Sequence, residues 1–344
     1  MNLLEKLALT ACATGMLSCN QPQAHALQIP QQQTTQSTAE KKPADTEKTT
    51  FYAKQVEELE EQLRNAPQNP EIPKTLATAS YELARLQWKN ANEQLQKTKG
   101  QYSPELQQQY ITARDHAQRA LDITLNGDTF PGIEERIGQC YLIVGTAYVR
   151  EANLDKSLDN LRKGFPWGGQ ETKDAICMEI FTIYRVKGLE NIVQEFSKKS
   201  LKEALVDLLY TYCQDLKKQG KGLTLLVKDG EECKNALTLF GSLGTYALQN
   251  EKKKPAEERD PAFVCDAFFS RCTLAYTFVE DQNQKPALVG TFVKEYASLK
   301  RTFPNLTSIY QDYYAWSQGK ENVVSSVPDA PGLLLEAFEK REDY

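Results

Sequence analysis

The chain has 344 residues, 40% of them apolar, a formal net charge of −5 and only two histidines, His25 and His116. The acidic balance, with no basic stripe, argues against nucleic acid as a partner. So few imidazoles remove most hydrolase and metalloenzyme schemes, which use histidine as base or ligand. Residues 1–19 carry an early lysine and then a short apolar run from Leu7 to Ser18. The run is too short to span a bilayer but suits a secretory signal. Residues 20–50 hold seven glutamines, many threonines and little that is large and apolar. Such a stretch cannot offset its ordering entropy by burial, so a disordered polar tether with a reach of about 30 Å is expected.

From Phe51 onward the pattern is helical. Leu106, Tyr110, Ala113, Ala117, Ala120 and Leu121, for example, recur at three and four and share one helix face. No segment sustains strict alternation, so sheets are not expected. Glycine and proline mark breaks at 67–73, 100–104, 127–132, 164–169, 188, 220–222, 255–261, 284–286, 304 and 328–332. Between them, residues 51–344 should form helices paired as antiparallel hairpins. The expected fold class is all-α, an α-solenoid of antiparallel helical hairpins.

One hairpin carries a register that resembles the tetratricopeptide repeat (TPR). Tyr141-x2-Val144-Gly145-x2-Tyr148 is followed by Ser157-x3-Leu161-x2-Gly164, the large–small–large order that lets two helices cross closely. Cys177, Ile180 and Tyr184 repeat the first-helix positions one repeat length later, with Phe181 where the small residue belongs. Phe240, Leu243, Gly244 and Ala247 make a further partial match. Tyr81, Ala84 and Trp88 with Ala113, Ala117 and Ala120 fit the preceding hairpin, but about 16 residues more than a 34-residue repeat allows separate them. The simplest reading lengthens each helix by about two turns and projects the hairpin about 10 Å beyond its neighbours. The TPR resemblance implies a non-catalytic protein- or peptide-binding scaffold whose first helices line the binding face.

At the N-terminus, Met16-Leu17-Ser18-Cys19 resembles a bacterial lipobox. It implies export, cleavage before Cys19 and a lipid on Cys19 that anchors the chain to a membrane on its periplasmic or cell-surface side. An exported TPR protein with a lengthened early hairpin also resembles the TPR lipoproteins associated with TRAP-type solute transporters. That resemblance implies the alternative of a small-molecule-binding accessory protein. A cytoplasmic TPR adaptor is the third reading.

The search for chemistry yields no catalytic residue, cofactor or metal site. Gly220-Lys221-Gly222 lacks the rest of a phosphate loop, and Asp229 to Glu232 lacks calcium-loop spacing. Cysteines form no CxxC pair. Cys140 and Cys177 occupy nearly equivalent places in adjacent repeats, so they read either as small apolar core residues or as a disulfide in an oxidising compartment. The resemblance puts the binding surface on the exposed faces of helices 73–99, 131–151 and 170–187, with candidate partner-binding residues Glu134, Glu135, Arg136, Gln139 and Arg150 between the packing positions of the middle one. Trp167, in the Phe165–Gly169 turn, and the face shared by Tyr310, Tyr313 and Tyr314 are further candidates. Other aromatic residues of the C-terminal third, Phe263, Phe268, Phe269, Phe292 and Tyr296 among them, are expected in the core.

Overall fold

The structure, a computed structural model, describes residues 42–98, 101–127, 133–219, 233–278 and 285–303. The described residues are helical and contain no strand. They divide into two compact units, one ending at Val186 and the other beginning at Lys187.

The first unit contains α1 (Lys42–Asn65), α2 (Glu71–Lys97), α3 (Pro104–Asn126), α4 (Ile133–Arg150), α5 (Leu154–Gly164) and α6 (Gln170–Lys187), the last residue of which lies in the second unit. Local chemistry sets the ends of these helices. Asn69 accepts from the Glu71 N–H at 3.1 Å, Ser103 caps α3 through the Leu106 N–H with Pro104 at its first position, and Asn153 caps α5 through the Lys156 N–H. Between α4 and α5 the chain turns without glycine or proline. Ala152 takes φ 58°, and the Asn153 N–H reaches the Tyr148 carbonyl at 2.9 Å, a left-handed stop that glycine usually supplies.

α1 starts at Lys42, inside the 20–50 stretch expected to be an unfolded tether. Its first turns have no apolar stripe for periodicity to detect. They extend a helix whose later residues Val56 and Leu59 pack on Ile72, Leu76, Ala79 and Leu83 of α2. Lys89 on α2 also holds Asp45 at 2.9 Å. α2 and α3 run unbroken through the added residues of the lengthened hairpin, reaching 27 and 23 residues against 18 and 11 for α4 and α5. The added turns do not project bare. Ala91, Leu95, Leu106 and Tyr110 are buried together with Ala147 at the far end of α4, and Tyr102 stacks on Tyr110 at 6.2 Å.

α4 and α5 cross as closely as their small residues allow. A Cβ on Gly145 would strike the Leu161 side chain at 2.7 Å, and one on Gly164 would strike Tyr141 at 2.6 Å. The Ser157 hydroxyl donates to the Gly145 carbonyl at 2.8 Å. The crossing thus brings together Gly145 with Leu161 and Tyr141 with Gly164. The next hairpin does not repeat it, because after α6 the chain turns at Gly188, φ 121°, into a 3-10 helix, Leu189–Ser197.

The second unit contains that 3-10 helix, α7 (Lys199–Lys218), α8 (Cys233–Lys252), a short 3-10 turn (Ala256–Glu258), α9 (Ala262–Phe278) and α10 (Lys285–Thr302). α9 is apolar on nearly every side and serves as the central helix. Phe263, Val264, Ala267, Phe268 and Phe269 are all buried, and Phe240 and Leu243 of α8 are buried with them. Gly244 lets α8 approach α9, with its absent Cβ 3.4 Å from that of Ala267. Tyr210 meets Phe263 edge-on at 4.7 Å, Phe268 meets Phe292 at 6.4 Å, and Phe269 lies 6.3 Å from Tyr296. These aromatic residues form the core expected of them.

Candidate functional site

The polar surface expected on α4 is largely committed to joining helices. The Tyr81 hydroxyl on α2 donates to Gln139 Oε1, and Arg136 lies over the Tyr81 ring at 5.6 Å while donating to Thr78 at 3.2 Å. Gln139 in turn donates to Glu135 at 2.9 Å. Glu135 accepts from the Thr172 hydroxyl and from the Gly169 N–H, at the start of α6. These contacts run from α2 through α4 to α6. Burial raises the Glu135 pKa, but donors from Thr172, Gln139 and Gly169 outweigh it and hold the carboxyl below its ordinary range. Glu135 and Gln139 are therefore half-buried and take part in the packing between hairpins.

Arg150 requires a correction. It is 7% exposed and sits over the Tyr110 ring at 5.7 Å. Burial works against its charge, yet Glu179 on α6 and the phenols of Tyr110 and Tyr102 hold the guanidinium pKa above its ordinary value. Burial raises Glu179 in turn, and the Arg150 charge offsets only part of that. Arg150 is thus a buried cation between hairpins and not a surface contact. Periodicity puts it outside the α4 core stripe because it lies at the helix end, where the lengthened α3 and Tyr102 cover it.

Of the α4 candidates Glu134 remains exposed. Trp167 is 38% exposed in the turn before α6, and the turn is held close because a Cβ on Gly138 would meet the Gly168 backbone at 2.6 Å. Cys140 and Cys177 are buried free thiols in this structure and do not form a disulfide. Burial pushes both thiols up to about 12. Cys19, Tyr310, Tyr313 and Tyr314 lie outside the described residues, as do the 1–19 signal segment, Gly220 to Gly222 and Asp229 to Glu232. Among the described residues no helix is long and apolar enough to cross a membrane, and no cluster of three or more histidine, cysteine or carboxylate ligands is present.

Open polar space in the first unit lies on the lengthened hairpin. A groove of about 750 Å³ runs between the start of α1, the second half of α2 and the first half of α3. Gln87, Asn90, Gln94 and Lys97 form one wall and Glu105, Gln108, Gln109 and Thr112 the other, with Asp45 and Thr46 at one side. The wall residues of α2 span about 15 Å of helix axis, the length of four or five extended residues at about 3.3 Å each. All these wall residues except Gln87 belong to the stretch between Trp88 and Ala113 that a standard repeat lacks.

The electrostatics are mild and negative. Asp45, Glu93 and Glu105 face a single lining lysine, Lys97. The hydrogen bond from Lys89, followed by its charge, lowers the Asp45 pKa. Glu105 is lowered by its own backbone N–H and then by the Ser103 hydroxyl. Gln87 Oε1 is buried without a hydrogen-bond partner. Carboxamides donate and accept at once, so this lining can match the alternating N–H and C=O groups of a backbone laid along it. The sequence signal is the amide spacing Gln87, Asn90, Gln94 opposite Gln108, Gln109 and Thr112. It is easily overlooked, because amides at helical spacing look like any solvated face.

Comparison with protein-family models, with curated proteins and with solved structures gives no significant match.

Proposed function

We propose that this chain is a non-catalytic scaffold of TPR-like helical hairpins that holds an extended polypeptide segment in the groove of its lengthened hairpin. The groove carries the reading: open, polar and amide-walled, it is built from residues that the repeat pattern does not require. An enclosed apolar cavity would suit a small organic ligand, whereas an open trough of amides suits a peptide backbone. The TPR-like reading of the fold rests on the close crossing of α4 with α5 and on the contacts joining α2, α4 and α6. The proposal includes export and a lipid on Cys19, supported by the apolar run, the serine before Cys19 and the polar stretch after it.

The test is a selection of random peptides on the full chain, followed by affinity measurement with Gln94→Leu/Gln108→Leu. Removing amides from both walls should weaken a selected peptide by about tenfold or more, at about 0.5–1.5 kcal/mol for each lost hydrogen bond. Thermal stability should stay unchanged. Failure to enrich any peptide, or equal affinity in the double variant, overturns the reading.

A further inference from the structure

The second unit carries a groove of its own, opposite in charge to that of the lengthened hairpin and independent of it. A trough of about 670 Å³ lies between α7 and α8, with Arg271 of α9 at its edge. Lys199 and Lys202 line the α7 side with Glu203, and Thr238, Gly241 and Thr245 fall along one face of α8. The Lys199 side chain is 90% exposed and reaches Glu203 only at 3.9 Å, so this lysine is solvated. Lys202 lies over the Phe196 ring at 5.5 Å. Arg271 is paired with Glu295, which leaves the two lysines as the main source of positive charge.

The floor is less polar than its residue names suggest. Thr238 and Thr245 donate their hydroxyls to the Lys234 and Gly241 carbonyls at 3.0 and 2.8 Å, so those donors are used within α8. Gly241 is informative by contrast with Gly145. A Cβ on Gly145 would strike Leu161 at 2.7 Å, whereas one on Gly241 would meet only the end of Arg271, at an ordinary 3.7 Å. Packing among the described residues does not call for glycine there, although only proline is a poorer helix former. The absent side chain leaves room for a neighbouring backbone. Gly241 and Thr245 also border a second hollow of about 250 Å³, walled by Phe240, Leu248, Val264 and Phe268.

We infer that this trough docks an acidic amphipathic helix of a partner protein. Its glutamates meet Lys199 and Lys202, its backbone passes over Gly241, and one large apolar side chain enters the hollow beside Phe268. A shallow trough of mixed lining, with a basic rim and an apolar hollow at its edge, is the complement of such a helix.

The experiment measures fluorescence anisotropy of a labelled helix-forming peptide of about 18 residues, five turns, against the full chain. Leucine and alanine occupy one face of the peptide and glutamate its flanks; a companion peptide carries lysine for glutamate. The acidic peptide should bind with an affinity that falls as salt rises, and the basic companion should not. Lys199→Glu/Lys202→Glu should weaken binding by about tenfold or more. Gly241→Gln should also weaken it without lowering the melting temperature, because glutamine favours helix and its Cβ has space. Gln94→Leu/Gln108→Leu should bind the acidic peptide like wild type, which separates this site from the first. No binding to wild type, equal binding of the basic companion, or unchanged affinity in the lysine-reversal or Gly241→Gln variant would overturn the inference.

Discussion

The two hairpins of the first unit treat the same problem in opposite ways. Where α4 meets α5, glycine and serine bring the helices so close that an added methyl group at Gly145 or Gly164 has no room. Where α2 meets α3, both helices are longer, and the added turns divide their labour. One side buries Leu95, Leu106 and Tyr110 under Ala147, while the other lines an open trough with amides. A tight crossing tolerates few substitutions and offers nothing to a partner. A lengthened pair supported on one side can expose polar residues on the other without losing its core. The open polar surface of this unit thus sits on the lengthened hairpin, where the proposed peptide site lies.

The support of the long hairpin is where substitution should cost most. Arg150→Glu would place a second carboxylate near Glu179 and remove the buried cation over Tyr110, at a cost of about 2–3 kcal/mol, the scale for an uncompensated buried charge. Chemical denaturation should show this loss; a variant as stable as wild type would return Arg150 to the surface. At the tight crossing, Gly145→Leu should cost about 1–3 kcal/mol by overpacking, and an unchanged melting midpoint would mean the α4–α5 crossing is misplaced.

Smaller effects separate the two hairpins further. Glu135→Gln should lose about 1 kcal/mol near neutral pH, discounted because the carboxylate is partly solvated. Since its folded pKa is depressed, the contribution of Glu135 is present above the ordinary carboxylate pKa and disappears as pH falls through the lower folded value. Wild type and variant should therefore converge in acid, and a gap that persisted there would contradict the assignment. Ala152→Gly should stabilise by about 0.5–1 kcal/mol, relieving an alanine held at φ 58°. Gln94→Leu/Gln108→Leu, on the open side, should change stability by no more than about 0.5 kcal/mol.

Much of this organisation is legible in the residues. Helix boundaries follow glycine and proline almost throughout, and Gly145, Ser157, Leu161 and Gly164 are paired through the register that resembles the TPR. The α4–α5 turn escapes because alanine, not glycine, takes its left-handed position. The start of α1 escapes because its first turns have no apolar face. The candidate site is the least legible part, for a physical reason. Polar residues on a helix look alike in sequence whether they face solvent, cap a neighbouring turn as Glu135 does, or are buried over a tyrosine as Arg150 is. Only tertiary context separates these cases, and it leaves α2, one of the first helices expected to carry a site, as the helix whose open polar face lines a groove.

Whether the lengthened hairpin is the binding element can be decided by hydrogen–deuterium exchange of the full chain, with and without a selected peptide. New protection should concentrate in the second half of α2 and the first half of α3, with the turn around Trp167 unchanged. Protection centred on that turn, or on α4, with none along the lengthened hairpin, would contradict a peptide site in its groove.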